Sequence, residues 1–535
     1  MKQQQSKEKS LLHAAGLIAF VTILSKLLGA VRDWAIAYVY GTSMVSDAYF
    51  AGFQIPSFAI VLLGGLGGPF HTVSVSVFSK LIARGQAPDE KTRQLAHAFI
   101  TLTAVVFTVF SALTYWYADS ILNVLLPGAK PELITLAAAQ MRIMSPTLII
   151  GGLVGIFYGF LNIYNSFFWP SFSPALMSLV LLAALWVFPH DPTGHILGWA
   201  TLGGAIAQFA CQLPSFAKYK IGFRPNFNWK RPEIAHINEL LFPATIGTTI
   251  GQLITYVDMF FTSQLRLDGA WSAITLSNRL LQFPIGVLQT ALLVPIFPRF
   301  SRLVGEENWP ELKRQFKLGV ISLWMISIPM LVIMLFYMEG IIRLVFEHGN
   351  FKSESTALVT QALLFQAFQM IPYFARDSLT RVFYAFHDSK TPLIIGVVAI
   401  GIKALLNALL VGPFDVGGIT FATSLITFIN MTLLAILSKR HIQDLGFQEL
   451  AKPFAMLMGA GIVMSGGIWL LELGLSNTNL AQLIPNPTLF ELGRIILGSL
   501  LGCVIYLICT LAFKIPEAQY LFERISGPLA RRLHR

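Results

Sequence analysis

The sequence predicts an all-α polytopic membrane protein, and three observations lead to that prediction. The 535 residues are 55% hydrophobic and only 12% charged, whereas an ordinary soluble domain carries about 25% charged residues. Apolar runs long enough to cross a bilayer core, about 20 residues each, recur along the chain. The basic residues concentrate in the short segments between these runs, which is typical of a membrane topology signal.

Fourteen apolar runs can be delimited as transmembrane helices. Their approximate bounds are 11–40, 44–78, 95–125, 132–162, 171–189, 194–217, 236–264, 270–298, 318–338, 355–385, 391–411, 416–438, 453–473 and 490–513. With the N-terminus inside, 27 of the 38 Lys and Arg residues fall on the cytoplasmic side, four fall outside and seven lie within or beside helices. Because cytoplasmic loops carry the excess of Lys and Arg, we expect both termini in the cytoplasm.

A weak internal repeat predicts two halves of six helices each. Three short motifs recur at offsets of 228, 222 and 226 residues: Gln54-Ile55-Pro56 with Gln282-Phe283-Pro284, Phe78-Ser79-Lys80-Leu81 with Phe300-Ser301-Arg302-Leu303, and Phe157-Tyr158-Gly159-Phe160 with Phe383-Tyr384-Ala385-Phe386. Since six is even, the halves share one orientation about an axis along the membrane normal, a parallel pseudo-two-fold repeat. We predict an N-lobe at 1–225 (helices 1–6), a C-lobe at 226–448 (helices 7–12), helices 13 and 14 at 449–520, and a basic cytoplasmic tail at 521–535.

Composition also argues against several classes of function. The formal charge of +11 is spread over short loops, so we expect no nucleic-acid partner. The chain has no Gly-rich loop ending in Gly-Lys-Ser/Thr and no loop long enough for a soluble domain, so we expect neither ATP hydrolysis nor another enzymatic activity. The three cysteines lie in apolar runs far from metal-ligand spacing, and we expect neither a disulfide nor a transition-metal site.

Charged residues within the predicted helices are the candidate functional groups. Lys26, Arg32 and Asp33 lie on helix 1, Asp47 opens helix 2, and Arg279 lies on helix 8. At 100° per residue, Lys26 and Asp33 fall within about 20° of each other, and Gly29 near that face leaves room for a ligand. Charges at membrane depth usually face a cavity or a partner, and Lys and Arg are common phosphate ligands. An anionic substrate is therefore expected. Arg494, near a predicted interface, is expected to snorkel or cap.

A Gly-rich segment interrupts predicted helix 2. Its members are Gly64, Gly65, Gly67, Gly68 and Pro69. The flanking strand, lysine and acidic residue of a nucleotide-binding loop are missing, whereas Gly tolerates strained backbone and Pro removes a hydrogen-bond donor. We therefore predict a break or hinge in the helix.

At these residues the chain resembles the MurJ (MviN) family of bacterial lipid II flippases, which belongs to the multidrug, oligosaccharidyl-lipid and polysaccharide exporter superfamily. The resemblance spans helices 1 to 12. The motifs that carry it are Ser25-Lys26-Leu27-Leu28-Gly29-Ala30-Val31-Arg32-Asp33, Ser46-Asp47-Ala48-Tyr49-Phe50, Phe53-Gln54-Ile55-Pro56, Asn278-Arg279-Leu280-Leu281-Gln282-Phe283-Pro284-Ile285-Gly286-Val287 and Phe383-Tyr384-Ala385-Phe386-His387-Asp388-Ser389-Lys390-Thr391-Pro392.

The resemblance implies a multi-pass protein of the bacterial cytoplasmic (inner) membrane. Two lobes would enclose a cationic cavity for the diphosphate and sugars of lipid II, and helices 13 and 14 would line a groove for its polyprenyl tail. The lobes would rock between inward-open and outward-open states and deliver the precursor for peptidoglycan synthesis. By position, Lys26, Arg32 and Arg279 would bind the head group, while Asp33 and Asp47 would position these cations or gate the cavity. The expected partners are the lipid-linked substrate, the bilayer and, as candidates, cell-wall synthesis proteins.

Some family members carry a sodium site among helices 7, 11 and 12. The matching residues in this chain are Asp258, Asn407 and Thr427. A second acidic residue expected on helix 11 falls near Val411, so the acidic part of the set is incomplete. Sodium is the one candidate cofactor, and the alternative is that the chain uses none.

The chain also departs from the family pattern around the cavity. Lys26 stands where the family typically has Arg, Asn278 where Asp is frequent, and Ser57 follows the helix 2 Pro where one or two Arg are usual. A Glu of that segment is also missing. The cavity is therefore expected to be less charged than is typical. A flippase for another polyprenyl-diphosphate saccharide stays an alternative, as do a cation-coupled drug extruder of the same superfamily and a structural scaffold for cell-wall assembly.

Overall fold

A computed structural model of the chain describes residues 2–65, 67–82, 87–189, 191–289, 296–442, 445–477 and 486–515, with side chains from residue 21 onward except 61–62 and 296–298. These residues form helices and connecting segments, and no β-strand occurs among them. The predicted all-α class is confirmed. The predicted basic tail at 521–535 lies outside the described residues.

The polypeptide forms two compact units, residues 1–272 with 349–351 and residues 273–348 with 352–535. The first unit contains α1 (Lys2–Tyr40), α2 (Met44–Ser57), α3 (Pro69–Leu81), α4 (Glu90–Trp116), α5 (Ala118–Leu125), α6 (Pro131–Met144), α7 (Thr147–Ile163), α8 (Phe168–Val187), α9 (His195–Ala210), α10 (Leu213–Lys218) and α11 (Pro232–Gln264). Helix α12 (Ala270–Leu288) begins in the first unit and continues in the second.

Helix α7 lies at the centre of the first unit and contacts α3, α4 and α9, while α1 packs on α8 and α2 packs on α6. A buried polar network joins α7, α8 and α9. The Tyr158 hydroxyl lies 2.6 Å from Ser173 Oγ and accepts a hydrogen bond of 2.9 Å from Gln208 Nε2. Because each of these buried groups is hydrogen-bonded, the network fixes the helices without the cost of an unsatisfied polar atom.

The predicted break in helix 2 is observed. Helix α2 ends at Ser57, a π-helical turn follows at Phe58–Leu63, and α3 begins at Pro69. A Cβ atom on Gly64 would lie 1.9 Å from the carbonyl oxygen of Gly151 in α7. Backbones approach this closely only where both residues are small, so Gly64 is required for packing as well as for the break.

The second unit contains α13 (Ile296–Gly305), α14 (Trp309–Phe346), α15 (Ser353–Ala367), α16 (Met370–Ala385), α17 (Lys390–Leu437), α18 (Phe447–Ser476) and α19 (Pro487–Ala512). Helix α14 contacts α15, α16, α18 and α19. In this core, Trp324 donates its indole N–H to the Ile371 carbonyl at 3.1 Å and packs against the Phe454 ring at 4.7 Å. The apolar body of the indole is buried while its polar group is satisfied.

Helix α17 covers both predicted helices 11 and 12. Its 48 residues are interrupted at Asp415, whose φ of 49° and ψ of −128° are not helical, two residues after Pro413. The break divides α17 into a first arm, 390–414, and a second arm, 416–437. Pro413 lacks the N–H of a continuous helix, which favours a break at this point.

Among the described residues, eight helices are long and apolar enough to cross a membrane, or ten when two bent helix pairs are each counted as one span. Large apolar side chains on these helices are exposed, including Trp186 (86%) and Phe242 (71%), as expected for surfaces that face lipid. The chain is thus a multi-pass membrane protein. The number of fourteen transmembrane helices stays a prediction. The observed helices do not correspond one to one with the predicted spans, because α17 contains two predicted spans and a third is divided between α2 and α3.

Candidate functional site

The charges of helix 1 form a local ion pair. Arg32 donates from Nε and Nη2 to the same Asp33 carboxylate oxygen, at 3.0 and 2.7 Å. The Asp33 side chain is 6% exposed and that of Arg32 is 14% exposed, whereas Lys26 is exposed. Asp33 therefore holds Arg32 in place through charge-assisted hydrogen bonds. No heavy atom lies within 4 Å of a Cβ built on Gly29, so the helix surface is open at this residue, and room for a ligand there stays a prediction.

Asp47 is buried and serves as a cap for a distant helix. Its two carboxylate oxygens accept hydrogen bonds from the Gly269 amide at 2.7 Å and the Ser272 amide at 2.6 Å, and the Ser272 hydroxyl adds a third at 2.5 Å. The first turn of α12 thereby gains acceptors for N–H groups that no helical carbonyl satisfies. The carboxylate charge is also favourable at the positive end of the helix dipole. Asp47 thus fixes the start of the helix that carries Arg279.

Arg279 lies in the part of α12 that belongs to the second unit, and its side chain is exposed. Two residues earlier, the Ser277 hydroxyl donates to Gln366 Oε1 of α15 at 2.9 Å, so this part of α12 is anchored within its own unit. The convergence of Arg279 with Lys26 and Arg32 on one ligand stays a prediction.

The Gly-rich break brings together polar groups that the sequence analysis did not single out. The Gly67 amide donates to His71 Nδ1 at 3.1 Å, and His71 Nε2 lies 2.6 Å from Asn162 Nδ2 of α7. Gly67 has a φ of +83°, a conformation that favours glycine. The imidazole therefore contacts both the break and α7, and a role for the break as a moving hinge stays a prediction.

Two of the three sodium candidates lie on the helix that carries a buried lysine. Asn407 and Thr427 are buried on the two arms of α17, and Asp258 is half-buried on α11 in the first unit. Lys403 is fully buried and donates from Nζ to the Ile419 carbonyl at 2.9 Å and to Thr423 Oγ1 at 2.6 Å. An ammonium group thus occupies carbonyl and hydroxyl oxygens between the arms, so a sodium ion there would compete with it for these ligands, and sodium binding itself stays a prediction.

A cluster of partly buried charges lies among α14, α18 and α19. Arg494 lies 3.4 Å from a Glu472 carboxylate oxygen and 3.2 Å from one of Glu491. The Arg494 guanidinium therefore pairs with acids of two helices, and the expectation that it snorkels or caps stays a prediction. A Cβ on Gly340 would lie 2.2 Å from Glu491 Oε1, and a Cβ on Gly498 would lie 1.7 Å from the Tyr337 hydroxyl oxygen. Two glycines therefore make room for the cluster, and the spacing of Glu491 and Arg494 was the sequence signal for it.

Helices α18 and α19 pack against each other and expose apolar side chains. These include Ile462 and Leu470 on α18 and Leu489, Leu500 and Ile508 on α19. An apolar cavity of about 150 Å³ lies among α14, α16, α17 and α18, beside Trp324 and Phe454. This part of the second unit therefore offers an apolar surface beside the ion-pair cluster.

The fold is shared with known membrane transporters. A solved structure of lipid II flippase MurJ in an inward closed conformation matches with a TM-score of 0.77 and 22% identity over 93% of this chain and 98% of the other. An inward-facing multidrug resistance MATE family transporter of the MOP superfamily matches with a TM-score of 0.64 and 14% identity, over 81% and 98% of the two chains. The fold is therefore shared with these multi-pass membrane proteins.

The family is shown by sequence. A family model described as lipid II flippase MurJ matches residues 36–485. The probable lipid II flippase MurJ of a Synechocystis species is 29% identical over 540 residues, which cover 98% of this chain and 99% of the relative. The lipid II flippase MurJ of Burkholderia cenocepacia is 27% identical over 468 residues, covering 85% and 89%. The chain belongs to the MurJ family.

Proposed function

We propose that this chain is a lipid II flippase, a transporter without enzymatic activity that moves the lipid-linked peptidoglycan precursor across the cytoplasmic membrane. The observation that carries the proposal is the family match over residues 36–485, together with a relative matched over 98% of this chain and 99% of its own length. Membership over nearly the whole chain makes transport of the same substrate class the simplest account. Both termini would lie in the cytoplasm, as the distribution of Lys and Arg indicates.

The proposed path of the head group uses the predicted cations. Arg32, oriented by Asp33, would bind the diphosphate together with Lys26 and Arg279. Bidentate donors suit phosphate oxygens, and the open space beside Gly29 would admit the head group. The apolar surface of α18 and α19 would accommodate the polyprenyl tail. Fourteen helices in two lobes, with limits at 225 and 448, are the architecture we propose for alternating access.

Asp47 and the Gly-rich break would serve the conformational change. Asp47 holds the first turn of α12 through three hydrogen bonds, so releasing these bonds would free that turn. The break between α2 and α3 would bend as the lobes rock, because glycine tolerates unusual backbone conformations and proline removes a helical hydrogen bond. Cell-wall synthesis proteins are the proposed partners on the far side of the membrane.

A flippase for another polyprenyl-diphosphate saccharide is the second candidate. Ser57, which donates its hydroxyl to the Gln54 carbonyl at 2.9 Å, stands where a cation is usual in the family, so the cavity has less charge for a head group. The test is transport in liposomes that contain the purified chain and either lipid II or another lipid-linked sugar. Transport of lipid II alone supports the first function, and transport of the other lipid alone supports the second.

A further inference from the structure

Lys403 is an unusual side chain for its position. In the part of the chain that the structure describes, it is the one lysine or arginine among the buried residues, with no exposed surface. A cation at membrane depth is costly unless polar groups hold it. The Lys403 ammonium therefore has a defined place in the fold rather than an incidental one.

The ammonium bridges the two arms of α17. Lys403 lies on the first arm, and its acceptors, the Ile419 carbonyl and Thr423 Oγ1, lie on the second. Thr423 in turn donates its hydroxyl to the Ile419 carbonyl at 3.1 Å. The arms can face each other in this way because Asp415 breaks the helix. Carbonyl and hydroxyl oxygens beside a helix break are the groups that hard monovalent cations use in transporters.

The same arms carry two of the residues expected to bind sodium. Asn407 follows Lys403 by four residues, and Thr427 follows Thr423 by four, so each lies one helical turn from the ammonium contacts, about 6 Å away. Thr427 Oγ1 donates to the Thr423 carbonyl at 2.7 Å, so it is fixed to the same turn. A metal cation bound here would approach a buried ammonium to within about one turn. At an effective dielectric constant of about 20, that repulsion weakens binding by about 100-fold.

We propose that the Lys403 ammonium is the resident cation between the arms of α17, and that this chain binds no sodium ion there. The tethered charge occupies the oxygen ligands permanently, so it cannot be exchanged with the solution during a transport cycle. Transport by this chain is consequently independent of a sodium gradient. This last consequence rests on the proposed function, whereas the absence of sodium binding does not.

The first experiment measures sodium binding to the purified full chain. The unfolding temperature is compared in sodium chloride and in choline chloride at equal ionic strength. Binding of radioactive sodium to the purified chain is measured in parallel. The wild type should bind no sodium saturably and should unfold at the same temperature in both salts. Lys403→Gln should gain a sodium-dependent rise in unfolding temperature, Lys403→Arg should not, and the exposed-lysine control Lys452→Gln should behave as wild type.

Two outcomes overturn the proposal. One is saturable sodium binding by the wild type that is lost in Asn407→Ala. This outcome can be observed even if the variants of Lys403 do not fold. The other is a folded Lys403→Gln protein that responds to sodium no more than the wild type does.

The second experiment measures lipid II transport in liposomes with and without a sodium gradient. The wild type should transport lipid II at the same rate with and without the gradient. Lys403→Gln should transport it slowly when choline replaces sodium and faster when the sodium gradient is present. A sodium requirement in the wild type contradicts the proposal. If the wild type moves no lipid II under either condition, the proposed function fails, and the binding experiment still decides the role of Lys403.

Discussion

Ser272 donates both its amide and its hydroxyl to the carboxylate of Asp47, 225 residues earlier in the chain. The Ser272 hydroxyl also lies 2.9 Å from the Ser46 hydroxyl, and the Gly269 amide completes the cap of α12. One buried carboxylate therefore joins the start of α2 to the start of the helix that carries Arg279.

Asp47→Ala should destabilise the protein by about 2 kcal/mol, because two buried N–H groups and a hydroxyl lose their acceptor. Thermal unfolding in detergent measures this effect. Asp89→Ala is the matched control, since Asp89 caps α4 through Thr92 at 2.9 Å but is exposed, so water can replace it. Equal losses for the two variants would mean that burial of the Asp47 cap contributes nothing.

Gly498→Ala should destabilise the contact between α14 and α19, because the new Cβ would lie 1.7 Å from the Tyr337 hydroxyl oxygen and 2.6 Å from its Cζ. Overpacking of this kind costs about 1–3 kcal/mol. The double variant with Tyr337→Phe should recover part of the stability, since the hydroxyl is gone but the ring remains.

Gly493→Ala is the control for that prediction. Nothing lies within 4 Å of a Cβ at Gly493 on the same helix, so alanine should be neutral or stabilising by up to about 1 kcal/mol. If Gly493→Ala costs as much as Gly498→Ala, helix propensity rather than the Tyr337 contact would explain both results.

Asp388 should make part of the stability depend on pH. Burial acts to raise the pKa of its carboxyl, but hydrogen bonds from Thr391 and His441 outweigh burial and lower the pKa from 3.8 to about 2. Because the folded-state pKa is the lower one, this stabilisation is present above pH 3.8 and is lost as the pH falls towards 2. Thermal unfolding across that range should show a smaller acid-dependent loss for Asp388→Asn than for the wild type, and identical profiles would exclude Asp388 as the source.

Gly67→Ala tests the hinge. No atom lies within 4 Å of a Cβ at this position, so the only penalty comes from the φ of +83°, and the variant should insert and fold. We expect slower transport, because the added Cβ restricts the backbone of the break. Gly67→Asn, which tolerates the left-handed conformation better, should transport faster than Gly67→Ala. Wild-type transport by Gly67→Ala would mean that the break does not bend.

Local patterns predicted much of the molecule. Hydropathy predicted the helical membrane class, and the run Gly64–Pro69 predicted the break between α2 and α3. The adjacency of Arg32 and Asp33 in the sequence indicated that a cation and an acid lie close together on one helix. Each depends on residues close in sequence, for which spacing and composition carry the information.

The rest depends on contacts between distant segments. Nothing near Asp47 indicates that it caps a helix beginning at Ala270, and the burial of Lys403 follows from the break at Asp415, which brings Ile419 and Thr423 within reach. The pairing of Arg494 with Glu472 could not be predicted for the same reason, because Glu472 lies on another helix. Single-sequence patterns do not report which helix faces touch.

Binding of the lipid II head group by Arg32 and Arg279 is tested most directly by a transport measurement. Lipid II transport is measured in liposomes that contain the wild type, Arg32→Ala, Arg279→Ala or Arg343→Ala. Arg343 is the matched control, an exposed arginine of α14 paired with Glu339 at 2.6 Å. The wild type and Arg343→Ala should transport lipid II at equal rates. Arg32→Ala and Arg279→Ala should each be slower by about tenfold or more, as expected for loss of a charge-assisted phosphate contact. Wild-type rates for both variants, or no lipid II transport by the wild type, would contradict the account.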